Sequence, residues 1–115
     1  MSSNHPNVLD LLLQIRAGRN RPRFLPFIGQ PDIAVLWGFV LGAETAHLKW
    51  FGMDTEYARF RDWLRDEKNE FPPEGWHSRF LAEANGDHFS AIMRFLDRVA
   101  EFRERESGRA PSGQQ

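Results

Sequence analysis

Residues 75–102, GWHSRFLAEANGDHFSAIMRFLDRVAEF, constrain the fold of this chain more than any other stretch. Trp76, Phe80, Leu81 and Ala84 recur at the spacing of one helical face. Phe89, Ile92, Leu96 and Val99 do so again, and Phe95 and Phe102 widen that second stripe. Between the two stripes stands Asn85-Gly86-Asp87. Asparagine and glycine accept the left-handed backbone that ends a helix, and an aspartate side chain can cap the N–H groups that open the next one. Two amphipathic helices joined by so short a hinge must bury their stripes against further helices, which sets the class as all-α.

The rest of the chain supplies those partners. Val8, Leu11, Leu12 and Ile15 predict a first helix over 6–17, with Pro6 in its first turn and Gly18 at its stop. The segment 19–31, RNRPRFLPFIGQP, holds three prolines and reads as a loop whose Phe24, Leu25, Phe27 and Ile28 pin it to the core. A second helix spans 32–51, with Ile33, Leu36, Trp37, Val40 and Leu41 inward. Gly38, Gly42 and Ala46 follow at four-residue steps on it. Small residues on one face let a neighbouring helix approach closely, which would account for two glycines where helix propensity disfavours them. Asp54 or Thr55 caps a third helix over 56–68, with Tyr57, Phe60 and Leu64 inward. Pro72-Pro73 separates it from a fourth over 76–84, and a fifth runs from His88 to about Glu104. The expected fold is a compact five-helix bundle, one domain over 1–106, with a polar, structureless tail over 107–115. Trp37, Trp50, Trp63 and Trp76 are evenly spaced, but their neighbourhoods share no pattern, so no internal repeat is read.

Composition narrows the function classes. The formal charge is −1, which argues against a nucleic-acid binder driven by net charge. There is no cysteine, so disulfides, thiol catalysis and thiolate metal sites are out of reach. The start MSSNHPNVLD lacks the basic and apolar regions of a signal peptide, and the most apolar window, 33–51, carries Glu44, His47 and Lys49. The expectation is a cytoplasmic protein that does not enter a membrane.

Three patterns could carry chemistry. Glu44-x-x-His47 and Glu74-x-x-His77 have the i, i+3 spacing of di-iron carboxylate bundles, but Glu74 adjoins Pro73 at a helix start and no inward glutamate stands out on the first or fifth helix. Metal and cofactor are therefore expected to be absent. Serine, histidine and aspartate lie in no nucleophile motif, and His5 and His88 read as surface residues, so no catalytic residue and no enzyme activity is expected. Arg16, Arg19, Arg21 and Arg23 form a basic run, read as a helix end followed by a solvated loop rather than a phosphate or nucleic-acid contact.

The third helix presents the most informative surface. With Tyr57, Phe60 and Leu64 inward, Asp62, Asp66 and Glu70 point away from the core, and Glu56, Trp63 and Glu67 lie on one flank. Residues 54–74 contain seven acids and four bases. An acidic patch around a tryptophan suits a basic protein partner, since the indole anchors and the carboxylates steer. The competing reading packs Trp63 against a neighbouring helix and leaves the charges to solvent.

The order RPRFLPFIGQPDI, GFVLGAETA, FRDWLRDE and PPEGWHSRFLAEANGDHFSAIMRFLDRVAEF, covering 21–102, resembles a group of small helical bacterial proteins, several of them immunity partners of polymorphic or contact-dependent growth inhibition toxins. The resemblance implies a non-enzymatic toxin inhibitor that binds one cognate toxin domain, as a monomer or homodimer. Nuclease toxins must be basic to hold their substrate, and an acidic third helix would complement one. The alternative is a small helical adaptor or homodimeric scaffold with no toxin partner.

Overall fold

The computed structural model describes residues 6–19 and 31–114. Five helices follow in order: α1 Val8–Ala17, α2 Ile33–Phe51, α3 Thr55–Asp66, α4 Trp76–Glu83 and α5 His88–Gln114. No strand occurs among the described residues, and the chain is an all-α bundle. The expected proline-rich loop and its apolar residues lie outside the described residues.

Side-chain caps set where the helices begin. Asn7 and Asp10 form a reciprocal capping box at α1. Asp32 caps α2 by accepting from the N–H groups of Ala34 and Val35. Buried Asp54 caps α3 with one oxygen, at 3.1 Å from the Tyr57 N–H, and accepts the Val8 N–H with the other at 2.9 Å. One carboxylate thus ties the starts of two helices together. The 84–87 hinge behaves as its residues suggest. Asn85 and Gly86 take φ of 56° and 86°, and Asp87 accepts from the Ser90 N–H and hydroxyl at the start of α5. These two bonds hold the Asp87 carboxyl below the ordinary aspartate range.

The core is aromatic. Phe95 of α5 stacks on Trp76 of α4 with ring centroids 3.7 Å apart and planes 10° from parallel, and Phe60 and Phe80 meet it edge-on. α5 packs against all four other helices. Burial of Tyr57 pushes its hydroxyl pKa up to about 12, against a partial offset from the Trp76 indole.

Several expectations need correction. Leu41 and Phe89 are both exposed, although both sit on stripes read as inward. A Cβ at Gly38 or Gly42 would meet no atom within 4 Å, so these glycines admit no helix from the described part of the chain. α3 ends at Asp66, short of Lys68, with Asn69 at φ 56° just beyond. α5 continues through Gln114, past the expected end near Glu104 and into the stretch read as a structureless tail. No helix among the described residues is long and apolar enough to cross a membrane.

Candidate protein-binding surface

The six residues expected to meet a partner separate into two groups. Glu56 and Glu70 are drawn into the fold. Arg103 of α5 donates to both oxygens of Glu56 at 2.8 Å and to Asp10 at 3.1 Å, and the Asn7 side chain donates to Glu56 at 2.7 Å. Burial lowers the Arg103 pKa, but Glu56 and Asp10 outweigh it and hold the guanidinium above its usual range. Glu70 is buried at 5% exposure because Asn69 turns the chain back and brings the carboxylate to Arg98. Both glutamates are held by ion pairs to α5.

Trp63, Asp62, Asp66 and Glu67 remain together, but in other roles. Trp63 is 6% exposed, packed on Phe60 and Phe102, with the Lys68 ammonium 5.2 Å from its ring centre. It is a core residue whose edge reaches the surface, not a protruding anchor. That edge forms the floor of a cleft of about 250 Å³ between α3 and α5, lined also by Phe102 and rimmed by Arg59, Asp62, Asp66, Glu67, Arg105 and Glu106. The rim carries four carboxylates and two guanidinium groups, and the adjoining Arg65 bridges two of the carboxylates, which leaves an excess of one negative. Each carboxylate has an ionic neighbour. Arg65 reaches Asp66 at 2.9 Å and Asp62 at 3.2 Å, Arg105 reaches Glu67 at 3.4 Å, and Arg59 reaches Glu106 at 3.4 Å. The hydrogen bond from Arg65 holds the Asp66 carboxyl below its ordinary range. Most of these groups are exposed, where such pairs are worth about 0–1 kcal/mol and exchange readily for an incoming cation.

The sequence reading did not bring Phe102, Arg105 and Glu106 beside the third helix. Their i, i+3, i+4 spacing puts them on one face of α5, but only the placement of α5 beside α3 turns that face into a cleft. Arg105 reaches across to Glu67, while Glu101 pairs with Arg98 and Lys68.

The other candidate residues are structural here. Glu44 pairs with Arg61 at 3.2 Å, and the His47 ring nitrogen meets the Gly52 carbonyl at 2.8 Å. His77 stacks on Trp37 with centroids 4.8 Å apart. No group of three or more histidine, aspartate or glutamate side chains is placed to hold a metal among the described residues. His88 is not a plain surface residue: its Nδ1 accepts the Ile33 N–H at 3.0 Å and joins the starts of α2 and α5. Arg16 pairs with Asp97, and Arg19 donates to the Arg16 carbonyl at the end of α1. Arg21 and Arg23 lie outside the described residues.

No family model, curated protein or solved structure matches this chain.

Proposed function

We propose that this chain is an immunity-type protein, neutralising a cognate bacterial toxin domain by surface contact through the cleft between α3 and α5. The observation that carries the reading is the surface edge of Trp63, backed by buried Phe102, inside a rim with surplus carboxylates. A lysine or arginine of a basic partner can lay its aliphatic stem against the exposed edge of Trp63 and its charge against Asp62, Asp66 or Glu67. The loose 3.4 Å pairs on the rim give way to the new cation at small cost. A nuclease-like toxin, basic because its substrate is anionic, has the complementary charge.

The test is capture of the binding partner from the source cells, followed by its expression alone and together with this chain. Growth arrest by the partner, relieved by co-expression, supports the reading. A partner that is harmless alone, or arrest that co-expression does not relieve, overturns it. The second reading, a helical adaptor or homodimeric scaffold without a toxin, draws on a different observation: the exposed apolar side chains of α2.

A further inference from the structure

One imidazole bonds the start of α2 to the start of α5. A helix opens with N–H groups that find no acceptor inside it. At α2, the Asp32 side chain serves Ala34 at 3.0 Å and Val35 at 3.4 Å. The Ile33 N–H has His88 Nδ1, at 3.0 Å, as its one acceptor among the described residues. Ile33 is fully buried, but the His88 side chain is 37% exposed, so protons from solvent reach the ring. A backbone N–H only donates. His88 Nδ1 must therefore offer a lone pair, and the neutral ring holds its proton on Nε2. A protonated imidazole carries a hydrogen on both nitrogens and accepts from neither side.

We propose that His88 is a proton-operated switch: the neutral ring fastens the first residue of α2 to α5, and protonation releases the Ile33 N–H. The proposal does not rest on the toxin reading, and the switch shares no residue with the α3–α5 cleft. The charged groups facing the ring favour a second resting place for it. Asp32 Oδ1, at the cap of α2, lies 3.8 Å from Nδ1. Asp87, at the cap of α5, is near enough for a charge on His88 to act on its carboxyl. No hydrogen bond or ion pair joins the ring to α1, α3 or α4 among the described residues. Once protonated, Nδ1–H meets the Ile33 N–H donor to donor. A turn of the ring that shortens the distance to Asp32 by about 1 Å replaces that clash with a charge-assisted hydrogen bond. The contact thus moves from the backbone of α2 to its cap residue, and the helix frays by its first residue. One bond forms as another is lost, so the change is local to the α2 start and the fold as a whole does not melt with it.

The test is nitrogen-15 NMR on the full chain between about pH 8 and about pH 5, the span in which histidines change charge. At the upper end His88 is expected to show a bare Nδ1 and a proton on Nε2. The Ile33 amide is expected to be protected from hydrogen exchange, which a first-turn amide without an acceptor is not. As the ring takes up its second proton, the Ile33 protection factor should fall about tenfold, along the same curve as the His88 ring signals. His88→Asn sets a carboxamide oxygen near the position of Nδ1 and cannot titrate, so any protection of Ile33 in that variant should hold through the whole span. The native titration decides the proposal by itself, and the variant separates His88 from the other histidines. Three results would overturn it: a neutral His88 ring with its proton on Nδ1; Ile33 protection that stays constant while the ring becomes charged; or an acid loss of protection in His88→Asn equal to that of the native chain, which would assign the release to another group.

Discussion

Arg98 grips Glu70 through two hydrogen bonds, Nε to Oε1 at 2.8 Å and Nη2 to Oε2 at 3.0 Å, joining α5 to the segment that follows α3. The carboxylate side chain is 6% exposed and the guanidinium 29%. Arg98 also donates to Glu101 at 2.8 Å, and the two carboxylates hold the guanidinium above its usual range. The pair fixes the chain reversal at Asn69 and leaves Glu70 satisfied inside the fold.

Removing either partner should be unequal in effect. Arg98→Met strands a buried carboxylate and is expected to cost about 3 kcal/mol. Glu70→Gln leaves Arg98 with Glu101 and solvent and is expected to cost about 1 kcal/mol. Urea unfolding of both variants checks the order, and equal losses would contradict it.

The Glu70 case marks where the sequence becomes silent. Five helices, the caps at Asp54 and Asp87 and the 84–87 hinge were legible because each depends on residues a few positions apart, whereas the Asn7 and Asp32 caps were not read. The partners of Glu70 and Glu56 lie 28 and 47 residues away, and nothing local announces them. Projection on an ideal helix put Glu70 outward, but the helix ends at Asp66 and Asn69 reverses the chain. Trp63 was legible as either anchor or core, and the arrival of Phe102 beside it decides for core. On α2 the apolar residues run almost around the helix, so periodicity could not say which arc faces inward, and Leu41 was misplaced for that reason.

Trp63→Ala is expected to destabilise the fold by roughly 3 kcal/mol, because it empties a buried ring site against Phe60 and Phe102. A loss of partner binding in that variant would therefore be ambiguous. Thermal melts alongside any binding assay expose this, and a melt like that of the parent would contradict the core placement.

Phe95 touches Trp76, Phe60 and Phe80 and is fully buried. Phe95→Ala is expected to cost about 3–5 kcal/mol. Chemical denaturation measures it, and a loss below about 1 kcal/mol would show that the site collapses around the cavity.

Gly75 has φ +115°, and a Cβ there would lie 2.8 Å from the His77 ring and 2.9 Å from Trp37 Cζ2. Gly75→Ala should cost about 3 kcal/mol from backbone strain and the displaced stack. A variant as stable as the parent would refute this account of the α4 start.

Acid should destabilise the fold in two windows. Burial lowers the His77 pKa, despite the nearby Glu74, so the unfolded ring binds a proton before the folded one does. Its contribution is complete above the ordinary value of 6.5 and declines as pH falls below it. Burial raises the Glu101 carboxyl, but Lys68 and Arg98 outweigh burial and hold it below its ordinary 4.5. That contribution is present above 4.5 and is lost as pH falls through the folded value. Denaturation midpoints from neutral to acid pH should show both declines, and His77→Phe should remove the upper one. An unchanged upper decline in that variant would assign it elsewhere.

In the proposed function, the rim of Asp62, Asp66 and Glu67 around the Trp63 edge recognises a basic protein. Calorimetric titration of the captured partner into the native chain and into Asp62→Lys/Glu67→Lys measures that recognition. The account predicts that the variant melts like the parent and binds at least tenfold more weakly, with affinity for the native chain falling as salt rises. An unchanged Kd in the variant would contradict it.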